Sequence, residues 1–428
     1  MHSDFPADSP LLHQFLFSTD YQRLKRSLVM NKNLLIIQDL DGVCMGLVRD
    51  PLTRTLDPDY INASKLLAGH FYVLTNGEHI GGRGLNQIVD TALGAESQTA
   101  AHQSYLPGLA GGGVQWQDQQ GRVTHPGVSD EELTFLRSVP DKAKAYLTSL
   151  LNKAPYNLSN ADIDLLCHSA ILDNLASPTI NINVFHQHFQ QPELYLQLQK
   201  DLKGIMQALL DEADVRNLSE SFFIHYAPNL GRDAQGERIK FARGQDSGTT
   251  DFQFMLQGAI KEVGVLVILN HYYFEQTGHY PLGESFNART APRDQEKLLA
   301  LAEQHFDPQQ MPRIIGVGDT VTSNPQSTAS DVVLRGGSDR GFLTLVQALG
   351  ARFQSDNAVL YVDSSGGELD RPGLQLDRLN PLPGSQPNRH HDGICDQNDP
   401  LNLNFVFANG HQQYITFFRD LAAAFANA

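Results

Sequence analysis

The chain has 428 residues and carries 32 Lys and Arg against 48 Asp and Glu, a formal net charge of −16. Its 41% hydrophobic and 19% charged residues describe a globular chain of more than one ordinary domain, not a disordered one. The acidic balance argues against a nucleic-acid partner or an anionic membrane surface, both of which want clustered Lys and Arg, but a few local cations suffice to hold a phosphorylated small molecule.

In chain order, Met1 to Pro10 shows no basic stretch followed by an apolar run, so no signal peptide is expected. Leu34-Leu35-Ile36-Ile37 reads as a strand buried on both faces. It ends in Asp39-Leu40-Asp41-Gly42. A helical stretch around Asn62–Ala68 precedes a second buried strand, Phe71–Leu74, which ends in Thr75-Asn76-Gly77. The next 200 residues and more hold helical patterns at Asp130–Leu151 and Gln191–Ala213. They also hold strand-like runs at Ser221–Tyr226, Phe252–Gln257 and Val263–Tyr273. The run Val263–Leu269 is far short of the about 20 residues a membrane span needs. A helix over Asp294–Phe306 leads to a third buried strand, Arg313–Gly318, ending in Asp319. A fourth strand is expected at Asp331–Leu334, then a helix from Gly341 to Gly350, a loop-rich stretch, and a last helix over Gln412–Ala426. Strand, helix, strand with polar residues at the carboxyl ends describes an open α/β sheet, whose ligand sits beyond those ends. Cys44, Cys167 and Cys395 are too few and too scattered for a disulfide framework or a zinc knuckle. A reducing, cytoplasmic setting is expected.

Asp39 and Asp41 stand one residue apart at a strand end, where alternation aims both to one side and Gly42 lets the backbone turn away. Two acids this close need a proton or a cation between them. Magnesium suits, because it accepts carboxylates and phosphate oxygens together. Alone, Asp-x-Asp-Gly also occurs in calcium loops and ordinary turns. Thr75 offers a hydroxyl, and Asn76 and Gly77 offer backbone N–H groups, to a phosphate; alone, Thr-Asn-Gly is a turn sequence. Asp319 brings a third carboxylate to the same sheet edge. Lys297, on the helix before the third strand, could reach that edge, although a helix lysine is ordinarily solvated. Lys240 is its rival. His186-Gln187-His188 and His390-His391-Asp392 lack a matching ligand set. Gly81-Gly82-Arg83-Gly84 lacks dinucleotide spacing. Trp116 reads as a packing residue before a sugar-stacking one.

An acid pair, a Thr, a Lys and a Gly-Asp in this order resemble the haloacid dehalogenase superfamily of phosphohydrolases. Asp39 and Asp41 match its first motif, Thr75 the second, Lys297 the third and Asp319 the fourth. Ser323 and Asn324 lie where a further acid or Asn commonly follows. The resemblance implies an α/β fold: a Rossmannoid core with a parallel sheet, built from residues 1–80 and 290–428, and an inserted α+β cap of C2 type over 81–289. More narrowly, Gln38 to Val48, Leu74 to Glu78, Gly81 to Asn86 and Gly318-Asp319-Thr320 are similar to the glucosylglycerol-phosphate phosphatases, a salt-tolerance family of cyanobacteria. That similarity implies a magnesium-dependent phosphatase releasing the compatible solute glucosylglycerol from its 3-phosphate through an aspartyl-phosphate. It implies Asp39 as nucleophile and Asp41 as acid–base. Asp39, Asp41 and Asp319 would hold Mg2+, and Thr75, Asn76 and Lys297 the phosphate. Arg243 and Arg289 are the cap's candidate sugar anchors. A complex with the glucosylglycerol-phosphate synthase is conceivable on the same ground. The alternatives are a sucrose- or trehalose-phosphate phosphatase and a non-catalytic sugar-phosphate sensor.

Overall fold

The computed structural model describes residues 10–94, 104–233, 236–244, 246–325, 333–379 and 389–428. The chain runs through α1 (Tyr21–Val29), β1 (Leu34–Gln38), α2 (Pro58–Leu66), β2 (Phe71–Leu74) and α3 (Leu85–Leu93). Three short strands follow, β3 (Gly108–Ala110), β4 (Gln115–Gln117) and β5 (Val123–Thr124). A second body holds α4 (Asp130–Leu151), α5 (Asn160–Ala170), β6 (Ile171–Leu172), β7 (Thr179–Asn181), α6 (Asn183–His188) and α7 (Pro192–Val215). It continues with β8 (Phe222–Ala227), β9 (Asn229–Asp233), β10 (Gly236–Ile239) and β11 (Asp251–Leu256). The return comprises α8 (Lys261–Thr277), α9 (Gln295–His305), β12 (Arg313–Gly318), β13 (Thr322–Pro325), β14 (Val333–Gly336) and α10 (Arg340–Phe353). Last come β15 (Ala358–Val362), α11 (Leu376–Leu379), β16 (Phe405–Phe407) and α12 (His411–Ala426).

The main sheet has the order β16-β15-β12-β1-β2-β3-β4-β5. Its strands are parallel from β16 to β3, and β4 and β5 turn antiparallel. Every residue of β1, β2 and β15 is buried, as strands covered on both faces require. Leu34, Ile36 and Val73 point into a core shared with α1, α2 and α12, while Leu35, Ile37 and Leu74 point to α8, α9 and α10. This is the α/β architecture expected. Among the described residues, no helix is long and apolar enough to cross a membrane.

The second body is an α+β layer with a sheet ordered β6-β7-β11-β8, antiparallel throughout. Ser129 and Glu132 close a reciprocal capping box at the start of α4. Phe135 of α4 then packs on Phe222 and Phe254 of the sheet.

Three expectations are corrected. Val263–Tyr273 is not a strand but lies inside α8. Residues 263 to 270 of that helix are buried on every side, so no polar face marks the helical period. Gly264 is what lets it sit so close: a Cβ there would meet Leu74 Cδ1 at 2.5 Å. Through β3, β4 and β5 the main sheet extends beyond β2, and α8 packs on β2 and β3. Val333-Leu334 belongs to a hairpin, pairing with β13 and not with the main sheet; Asp331 and Val332 lie outside the described residues. The stretch after Gly350, expected as loops, supplies two sheet strands, β15 and β16.

Candidate active site

The carboxyl ends of β1, β2 and β12 converge beneath the second body. Gln38 anchors the end of β1: its side chain donates to Tyr60 Oη at 2.7 Å and accepts from Tyr414 Oη at 2.6 Å. The next residue, Asp39, is buried, and its N–H donates to Val317 O at 2.9 Å. Gly42 takes φ +81°, and a Cβ there would lie 2.2 Å from Asp319 Oδ2. Gly42→Ala is therefore expected to cost about 1–3 kcal/mol of stability and to lower turnover by displacing Asp319. Denaturant midpoints and steady-state kinetics on the purified variant check this; unchanged values for both would show that the loop relaxes freely.

Asp39, Asp41, Thr75, Lys261, Asp319 and Arg371 line one cavity between the two bodies. Thr75 Oγ1 accepts the N–H of Gly77 at 3.1 Å, shaping the turn after β2. Asn76 also faces the cavity, its Nδ2 lying 3.0 Å from His225 Nε2 of β8. Arg54 Nη1 holds Asp41 Oδ2 at 3.2 Å and Nη2 donates to Arg83 O at 2.6 Å, so the outer carboxylate is oriented by a cation that is itself tied down.

Lys261 is the buried cation of the site. It opens α8, and its Nζ stands 2.7 Å from both Asp39 Oδ2 and Asp339 Oδ1. Asp339 Oδ2 in turn accepts the N–H groups of Asp319 and Thr320 at 2.9 and 3.0 Å. Burial works against the Lys261 ammonium, but Asp339 and Asp39 outweigh it and hold its proton above the ordinary lysine range. Burial likewise pushes Asp339 up, yet Lys261 and the two N–H groups prevail and keep it ionised below the usual carboxylate range. Asp39 remains raised, chiefly by burial and then by Asp339 and Asp319, with Lys261 opposing. Burial and Asp339 push Asp319 up to about 7.

Two buried carboxylates thus flank one buried ammonium, and a third, Asp319, lies beside them. Asp39, Asp319 and Asp339 bring oxygens within 4.8 Å of one another, the one set of three or more metal-capable side chains found so placed among the described residues. Asp319 Oδ2 is buried and makes no hydrogen bond; Arg371 Nη1, at 3.7 Å, is too far to donate. An oxygen orphaned in an excess of negative charge fits a divalent cation of the hard, oxygen-loving kind.

The residues singled out in the sequence fall into two groups. Asp39, Asp41, Thr75, Asn76 and Asp319 meet at the cavity. Lys297 does not. It is exposed in the first turn of α9, its backbone N–H donating to Asp294 Oδ1, and the lysine at the site is Lys261. The rival Lys240 is buried against Asp246 at 2.6 Å in a small cleft beside Arg371. Arg289 is a strut, bound to Glu132 and to the carbonyl of Gln257, and Arg243 is exposed in a tight turn with Asp246; neither lines the cavity. Ser323 donates to Asp396 at 2.7 Å, and neither it nor Asn324 lines the cavity. Trp116 stacks on His271 at 4.1 Å, away from it. Sequence reasoning missed Lys261, Asp339, Arg54 and Arg371. Only Lys261 left a signal: a lone cation heading an apolar run must be exposed or paired.

A family model described as glucosylglycerol-phosphate phosphatase matches residues 33–422 of the chain. The glucosylglycerol-phosphate phosphatase of Synechocystis sp. is 49% identical over 415 residues, covering 96% of this chain and 98% of that protein. Among solved structures, the trehalose-6-phosphate phosphatase C-terminal domain of C. albicans aligns over 97% of this chain and 99% of its own, with 10% identity and a TM-score of 0.46. A trehalose-6-phosphate phosphatase of Aspergillus fumigatus aligns over 95% and 99%, with 11% identity and a TM-score of 0.40.

Proposed function

This chain belongs to the glucosylglycerol-phosphate phosphatase family, and we propose that it hydrolyses glucosylglycerol 3-phosphate to glucosylglycerol and phosphate. The observation that carries the chemistry is the buried cluster in which Asp39 faces Lys261 beside the Arg54-oriented Asp41.

Asp39 attacks phosphorus, the bond to the glycerol oxygen breaks, and Asp41 delivers a proton to that leaving oxygen. Asp41 then takes a proton from the water that attacks the aspartyl-phosphate, which releases phosphate and restores Asp39. Arg54 keeps Asp41 turned toward the leaving group. Lys261, Thr75 and the N–H groups after β2 bind the non-bridging oxygens, which hold the phosphoryl group in line. Asp39, Asp319 and the backbone carbonyl of Asp41 would hold Mg2+, whose charge offsets that of the carboxylates and the phosphoryl oxygens. The orphaned Asp319 oxygen supports that assignment. The substrate-covering cap is the body from about Ser129 to Gln257, and the residues on either side of it form the catalytic core. The continuation of the main sheet through β5 supports this boundary.

The test is phosphate release from glucosylglycerol 3-phosphate, sucrose 6-phosphate and trehalose 6-phosphate, on chelator-treated protein with and without added Mg2+. Mg2+-dependent release from the first substrate, with little from the disaccharide phosphates, is expected. Preference for a disaccharide phosphate would overturn the substrate, and release indifferent to chelation would overturn the metal.

A further inference from the structure

The cap wall of the cavity carries side chains for which phosphoryl transfer has no use. β7 and β11 pair with Asn181 opposite Asp251 and Thr179 opposite Gln253. Phe254 turns to the cap helices and meets Phe135, so Asp251 and Gln253, on the other side of the pleat, face the site. Both line the cavity, together with Asn181 and Asn183. Asn181 is engaged: its Oδ1 accepts the N–H of Asn183 at 3.0 Å and its Nδ2 donates to Asp251 Oδ1 at 2.9 Å. Asp251 also accepts from Thr250 Oγ1 at 2.8 Å.

Gln253 and Asn183 differ. They are 7% and 3% exposed, and Gln253 Oε1 and Asn183 Oδ1 make no hydrogen bond. A buried carboxamide left without a partner is costly unless something arrives to complete it. The surroundings say what that is. Among the described residues, the cations of the cavity, Lys261, Arg54 and Arg371, all belong to the core side, and the cap side contributes no Lys, Arg or aromatic ring. An anionic group would be repelled at the cap wall by Asp251, and a flat ring has no stacking surface there. A hydroxyl both donates and accepts, and so satisfies a carboxamide in either orientation.

We propose that Gln253 and Asn183 bind hydroxyls on the unphosphorylated sugar part of the substrate and thereby decide which sugar phosphate is hydrolysed. This rests on the sugar-phosphate reading above. Arg243 and Arg289, which do not reach the cavity, have no part in it.

The experiment compares kcat/KM for glucosylglycerol 3-phosphate with that for glycerol 3-phosphate, which keeps the reacting ester and lacks the glucosyl group. Wild type, Gln253→Leu and Asn183→Leu are measured side by side, with Mg2+ present. Each substitution is expected to lower the ratio of the two values by about 10-fold or more. A ratio that stays at the wild-type value in both variants overturns the proposal, even if overall activity falls, because a merely structural role scales both substrates alike. Should the leucine variants not fold, Gln253→Glu and Asn183→Asp keep the shape and are read by the same ratio. If wild type instead prefers a disaccharide phosphate, the substrate named above is wrong. The ratio is then taken between that disaccharide phosphate and glycerol 3-phosphate, and the two residues stand or fall on it.

Discussion

Asp39→Asn is expected to lower phosphate release by about 10⁴-fold or more while the protein remains folded. The substitution keeps the shape of a buried side chain, and Lys261 keeps Asp339 as its ion-pair partner. What disappears is the proposed oxygen nucleophile, for which an amide is no substitute. Single-turnover phosphate release measures the loss, and a thermal melt on the same sample checks the fold. Acid quenching of wild type during turnover should also trap one phosphoryl group on the peptide that contains Asp39. Turnover persisting in the variant, or a trapped label elsewhere, would show that another group attacks phosphorus.

Lys261→Met should be the most destabilising single change at the site, by about 3–5 kcal/mol, because it leaves Asp39 and Asp339 buried without their common cation. It should also remove about 10²–10³-fold of kcat where the protein still folds. Adding Asp339→Asn to Lys261→Met should return part of the stability and none of the activity, since one of the uncompensated charges goes with it. Lys297→Ala, by contrast, should shift stability by no more than about 0.5 kcal/mol and leave turnover as it was, since its side chain is exposed on α9. Urea titration and steady-state kinetics on the four proteins separate the two lysines. If Lys297→Ala is the damaging change and Lys261→Met the mild one, the electrostatic account given for the cluster is wrong.

The contrast between those lysines shows what could be read from sequence and what could not. Asp39, Thr75 and Asp319 each stand at the end of a short, largely apolar run, and Asp41 follows two residues after Asp39. Such runs betray buried parallel strands, and in an open α/β sheet their carboxyl ends share one edge. Local pattern therefore implied spatial convergence. Lys261 precedes an equally apolar run, but one rich in β-branched residues and buried on all sides, so it carried no helical signature and read as a strand. Lys297 instead stands on the helix before the third strand, where the resemblance places the third motif. Arg54, Asp339 and Arg371 lie at or beyond the ends of short elements, where no periodicity points anywhere. Val333-Leu334 shows a related limit: apolar residues announce a strand but not its partner, and here the partner is β13. Ala358–Val362 is as apolar as β1, but a Pro-, Gly- and Asn-rich stretch follows it.

Arg54, Lys261 and Arg371 come from three distant stretches of chain, and the sheet beneath them is closed by β16, which lies beside the N-terminal segment at Ser18. The order of synthesis therefore matters. The ribosome delivers Asp39 early and Lys261, the cation paired with it, much later, so a nascent chain holds that carboxylate long before it holds what balances it. Like charges without partners resist being brought together, and the unfinished edge strands stay open. A polypeptide interrupted before residue 371 lacks Arg371 and the closing strand β16, and is expected to be inactive rather than a weak and unselective phosphatase. Catalytic competence is expected only with the nearly complete chain.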